Sequence, residues 1–200
     1  MATMTLDSNP DISVSAEVAH GSELMTINAI DQESDCPVPT VRKLLEQHRG
    51  ERQMILLQDF PDPDALSSAW AYKLIAATYG IECDIFYGGT LSHQENIALV
   101  KLTGLPARRW TLANSDGPNL GQYQGVVLVD NQGTTSQLYQ TVRNAGVPLV
   151  LVIDHHAPQD NLDAEYIDLR PHIRATATIL TQYLQQGLGT CSRIKYQRPS

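Results

Sequence analysis

The chain has 200 residues, 42% of them apolar, and a formal net charge of −8. That is enough for one domain with a substantial core. No apolar run approaches the roughly 20 residues of a membrane span, and Met1 to Pro10 carries neither the basic nor the apolar region of a secretory signal. Three scattered cysteines, Cys36, Cys83 and Cys191, argue against a disulfide framework and a thiolate zinc site, so a reducing, cytoplasmic setting is expected.

The charge is unevenly placed: residues 1–41 hold seven acids (Asp7, Asp11, Glu17, Glu23, Asp31, Glu33, Asp35) and no Lys or Arg. The rest of the chain is close to neutral. An acidic total counts against a polyanionic substrate, but most of it lies in residues 1–36, whose polar, aperiodic composition predicts a disordered tail. A pair of divalent cations would reverse the local sign in any case.

A regular order of elements then begins. Thr40 is placed to cap a helix running to about His48, with Val41, Leu44 and Leu45 on one face. Met54–Leu57 is a short apolar run that suits a buried strand. Ala65–Tyr79 predicts a helix stopped by Gly80, and Ile81–Tyr87 a strand ending at Gly88-Gly89. Gln94–Leu102 is helical and closed by Gly104, with a short strand over Arg109–Leu112. Past a turn-rich stretch come a strand (Val126–Val129), a helix (Ser136–Ala145), a strand (Leu149–Ile153), a short extended piece at Tyr166-Ile167 and a last helix (Thr176–Gln186). Alternating helices and two-sided apolar strands predict an α/β fold: a largely parallel sheet of about five strands with helices on both faces. The expected division is an acidic tail (1–36), one domain (37–187) and an irregular basic end (188–200).

Three apolar strands run into acids at their C-terminal ends. Met54–Leu57 leads into Gln58-Asp-Phe-Pro-Asp62-Pro-Asp64, Val126–Val129 into Asp130, and Leu149–Ile153 into Asp154-His155-His156. Ligands of open parallel sheets bind outside these carboxyl ends, and one right-handed crossover makes the Asp130 and Asp154 strands neighbours. Converging carboxylates repel unless cations join them. Oxygen ligands with a histidine or two suit manganese, with magnesium as the alternative. Metal-assisted hydrolysis follows from such a crevice; its substrate does not.

These residues resemble the DHH phosphoesterase superfamily, which includes RecJ-like exonucleases, oligoribonucleases that also cleave 3′-phosphoadenosine 5′-phosphate, cyclic-dinucleotide phosphodiesterases and a class of pyrophosphatases. Gln58-Asp-Phe-Pro-Asp62-Pro-Asp64-Ala65 corresponds to a first motif that usually reads His-x-x-x-Asp-x-Asp-Ala, Val129-Asp130 to the second, and Asp154-His155-His156 to the third. The resemblance covers residues 50–185. It implies two metals, with Asp62 on the first, Asp64 and His155 on the second, and Asp130 bridging both. Asp154 would orient the histidines and His156 would meet the substrate phosphate. Gln58 stands where the family has a histidine ligand, and an amide oxygen is a poorer donor. The family's fourth motif, a further aspartate, and its C-terminal substrate-binding subdomain find no match before Ser200, so a fragment or shortened form is expected.

The implied function is hydrolysis of a nucleotide, cyclic dinucleotide or short oligonucleotide, with no membrane partner. The alternative is a catalytically weak regulatory module that holds metal or nucleotide. Simpler readings apply elsewhere: an Asp before a helix is an ordinary N-cap, and His93 is a loop histidine. Arg170 and His172 are surface residues, and Arg108-Arg109 a solvated face. Trp70 and Tyr72 belong to the core, while Thr176 and Thr178 cap and pack.

Overall fold

The computed structural model describes residues 37–113, 117–159 and 162–189. The predicted acidic tail, Cys36, Cys191 and nearly all of the basic end lie outside the described residues. Among the described residues six strands form one all-parallel sheet, ordered β3-β2-β1-β4-β5-β6. They are β1 Arg52–Leu56, β2 Glu82–Tyr87, β3 Ala107–Arg109, β4 Gly125–Val129, β5 Leu149–Asp154 and β6 Ala164–Leu169. The helices are α1 Val38–Gln47, α2 Pro63–Thr78, α3 Gln94–Thr103, α4 Gln137–Asn144 and α5 Thr176–Gln185.

Alternation along the strands sorts the core into two layers. Ile55, Leu57, Val127 and Val129 face α1, α2 and α5, where Val41, Leu45, Leu66, Ile75, Ile179 and Tyr183 are buried. Met54, Leu56, Val126 and Leu128 face the other way, against Leu138, Tyr139 and Val142 of α4 and the rings of Trp110 and Tyr123. Helices therefore cover both faces. Successive crossovers run outward from β1 and β4 in opposite directions, so a crevice opens between these two strands at their carboxyl ends. Leu188, past the end of α5, is also fully buried. Among the described residues no helix is long and apolar enough to cross a membrane.

Several local expectations shift. Helix α1 starts at Val38, and Pro37, without a side-chain cap, takes the place assigned to Thr40. Pro39 sits in its first turn, where a missing N–H costs nothing and a fixed φ suits the helix. The short strand after α3 is Ala107–Arg109 rather than Arg109–Leu112, and the extended piece at Tyr166-Ile167 is a full edge strand. Arg170 is not a surface residue: its guanidinium makes two bonds to buried Asp168 (2.8 and 2.7 Å), donates to Gln182 (2.6 Å) and lies over the Tyr183 ring. Arg108 belongs to an ionic cluster on Asp84 with Arg52 and Tyr123. His93 and His172 are exposed, and Tyr72 is buried with its hydroxyl donating to Gln53.

His48 ties the end of α1 to β6, with Nδ1 2.7 Å from Glu51 and Nε2 3.1 Å from Glu165. Burial alone would lower its pKa, but the two carboxylates outweigh that and raise it above 6.5. A raised imidazole pKa contributes stability in full below the unfolded value and loses it as pH rises through the folded one. His48→Ala should therefore lower the melting temperature more at pH 6 than at pH 9. With Glu165 half exposed, the pH-dependent part is about 1 kcal/mol or less. Equal losses at the two pH values would refute this assignment.

Candidate metal centre

The loop from β1 to α2 brings the first group of acids. Asp62 is the N-cap of α2, accepting from Ala65 N at 2.9 Å, and Pro63 opens the helix. The loop is pinned by Asn96, whose buried amide donates to Pro61 O (2.9 Å). It lies so close to the end of β2 that a Cβ on Gly88 would fall 1.6 Å from Asp59 Oδ1. Gly88-Gly89 is thus a seat for this loop, a role beyond a simple turn.

Asp64 faces inward and joins two helices. Its Oδ2 accepts from Thr176 N and its Oδ1 from Ala177 N, both at 2.8 Å, with Ser68 Oγ at 3.3 Å. The N-cap of α5 is Ala175, which has no polar side chain, so Asp64 caps that helix from a distance in sequence. Two helix N-termini therefore direct their positive ends at this site.

Asp130 follows β4 and adopts φ +59°, an uncommon backbone for a residue with a side chain. It is 1% exposed. Thr176 Oγ1 donates to its Oδ1 at 2.9 Å, a contact that a capping reading of Thr176 misses. Burial pushes the Asp130 carboxyl up to about 7, the Thr176 hydroxyl opposes this, and Asp64, Asp62 and Asp154 add repulsion.

His155 and His156 follow β5 with their rings 4.3 Å apart. His155 Nδ1 is 3.3 Å from Ile173 O. A carbonyl can only accept, so Nδ1 donates there and the neutral ring has its lone pair on Nε2, which lies 3.6 Å from Asp130 Oδ1 and 3.8 Å from Asp64 Oδ2. Asp154 is also 1% exposed. Its Oδ1 receives the backbone N–H groups of His155 (2.8 Å) and His156 (3.3 Å) and sits 2.7 Å from His156 Nδ1. It thus holds the loop under both histidines but the ring of His156 only. The bond to Asp154 raises the His156 pKa.

One ligand atom each from Asp130, His155 and His156 falls within 4.8 Å of the others. These residues fit a divalent cation: a buried carboxylate reluctant to ionise, beside an imidazole whose free nitrogen faces it. Asp64 adjoins the group through His155. Asp62 acts on Asp130 and His156 through its charge, and Gln58 lines the adjoining cleft of about 270 Å³ with Asp59, Asp130, Asp154, His156 and the loop from Asn131 to Ser136. Among the described residues no hydrogen bond or ion pair joins Asp62 or Gln58 to the three-residue group.

An all-parallel α/β sheet with an acid- and histidine-lined crevice at its switch point is an arrangement in which ligands bind outside the carboxyl ends of the strands. The chain is a member of the DHH family: the family model for its N-terminal domain matches residues 52–198, which makes this a phosphoesterase-type fold from a family that generally uses divalent metals. Over 141 residues the chain is 38% identical to the uncharacterized protein MJ1633 of Methanocaldococcus jannaschii, a match covering 70% of this chain and 27% of that one. The chain thus spans about a quarter of that relative's length. It is also similar to the crystal structure of an exopolyphosphatase-related protein from Bacteroides fragilis, with a TM-score of 0.49, 14% identity, and coverage of 74% of this chain and 43% of the other.

Proposed function

We propose that this domain binds two divalent cations, manganese or magnesium, and hydrolyses phosphate esters of a nucleotide or short oligonucleotide. The observation that carries the reading is Asp130, a buried carboxylate 3.6 Å from His155 Nε2, with Asp64 3.8 Å from the same nitrogen. Asp130 would bridge the cations, Asp64 and His155 would complete one shell, and Asp62 and Gln58 would serve the other. Bound divalent ions supply an activated water at neutral pH and stabilise charge on phosphate oxygens. The protein's own groups do the rest. Asp154 fixes Nδ1 of His156 and favours its charged form, leaving Nε2 as a donor toward a phosphate oxygen in the cleft. The N-termini of α2 and α5 add positive potential where an anionic substrate would otherwise meet carboxylates.

Manganese-dependent hydrolysis of bis(p-nitrophenyl) phosphate tests the reading, with isothermal titration for the metal. Turnover should fall at least about 100-fold in Asp130→Ala, since the variant removes a ligand to both ions. Tight manganese binding without turnover would favour a regulatory module of the same fold. A melting temperature indifferent to manganese would remove the metal reading itself.

A further inference from the structure

The loop after β4 carries Asp130 and the loop after β5 carries the two histidines, so their alignment depends on what joins the loops. Asp130 N donates to Ile153 O at 2.9 Å and Thr134 Oγ1 to Gln159 Oε1, but the joint that reaches Asp154 is Gln132. It is 3% exposed although it lies in a polar loop. Its Nε2 donates to Asp154 Oδ2 at 2.8 Å and to Ala157 O at 3.1 Å, while its Oε1 accepts from Gln159 N at 2.8 Å. Both amide hydrogens are therefore used. Three bonds from one side chain clasp residues 154–159, two loop positions away from Asp130.

Through Asp154 the clasp reaches a histidine ring. Gln132 holds Oδ2, so Oδ1 is turned toward His156 Nδ1. A side chain that could accept but not donate at this position would oppose the Asp154 carboxylate, and an apolar one would leave Oδ2 buried without a partner. Glutamine alone among side chains of this length and shape meets both the donor and the acceptor demands.

We infer that Gln132 is a positioning residue: it aims Asp154, thereby holds His156 with its proton on Nδ1, and sets the gap between Asp130 and the histidine pair. What the aligned groups are for rests on the function proposed above; the alignment itself does not. Gln132→Met keeps length without hydrogen bonds, and Gln132→Glu keeps shape but replaces the donor by an acceptor.

The ring ¹⁵N shifts of His156, assigned by their loss in His156→Gln and read where the ring is neutral, should report a single Nδ1–H tautomer in the wild-type protein. Both Gln132 variants should show a mixture of tautomers and weaken manganese binding about 10-fold or more, as loss of an outer partner does. An Nδ1–H tautomer and manganese affinity both retained in either folded variant would overturn the inference and leave Gln132 a loop staple. A wild-type ring without a fixed tautomer would overturn it even if neither variant folded. If the wild-type chain binds no manganese, the functional reading fails while the tautomer measurement still judges Gln132.

Discussion

Asp130→Asn should raise the melting temperature of the metal-free protein at pH 8 and abolish its response to manganese. The carboxyl is 1% exposed and has its pKa moved from 3.8 to about 7, first by burial and then by Asp64, Asp62 and Asp154 against the Thr176 bond. An acid with a raised folded pKa stabilises the fold only while protonated. That contribution is full below about pH 4, declines between about 4 and 7, and is gone above. At pH 8 the ionised group therefore leaves the empty site weaker by a few kcal/mol, roughly, than a neutral side chain of the same shape would. Asparagine keeps an oxygen for Thr176 and tolerates the left-handed backbone at φ +59°. The expected rise is about 5–10 °C at pH 8, shrinking at pH 5. Thermal unfolding at the two pH values, with and without manganese, checks it. A gap that does not narrow on acidification would mean that Asp130 does not carry this strain.

Asp64→Ala should act in the opposite sense on the empty protein. Both its oxygens are occupied by backbone N–H groups of α5, and among the described residues no other side chain caps that helix. Truncation leaves two amides near the buried Thr176 without acceptors and loosens a helix that buries Ile179, Leu180 and Tyr183. Losing a cap costs about 0.5–2 kcal/mol and stranding a buried donor about 1–3. A fall of about 5–10 °C follows for a domain this size, together with loss of manganese stabilisation. Asp64→Asn, which retains one acceptor, should recover part of the stability. If the alanine variant melted within about 1 °C of wild type, with a difference too small for a lost cap, Asp64 would not be holding α5. The two variants thus separate groups that strain the fold from groups that support it.

β1, β4 and β5 were legible because each is built on a short apolar run with no polar alternation (Met54–Leu57, Val126–Val129, Leu149–Ile153), a pattern that burial on two faces explains. β3 and β6 gave weaker signals for a physical reason. Ala107-Arg-Arg109 has no apolar run, and Ala164–Leu169 is an edge strand only partly covered, so its charged Glu165 and Asp168 hide the period. Arg170, beside Pro171 and outside any apolar run, reads as a surface residue in sequence. Only the packing of Tyr183 and Gln182 against its pair with Asp168 takes it out of water.

The site divides along the same line. Acids and histidines at strand ends, together with the order of crossovers, predict that Asp130 and the histidine pair meet at the carboxyl ends of neighbouring strands, because strand polarity and crossover hand are local rules, and Asp130, His155 and His156 do meet there. What each carboxylate does there was decided by partners distant in the chain: Asp62 capping its own helix, Asp64 capping another, Asp154 clasped by Gln132, Asp130 bonded to Thr176. A hydrogen bond between residues 112 positions apart leaves no trace in spacing or composition, since either side chain alone is an ordinary surface or cap residue until the fold brings its partner within 3 Å.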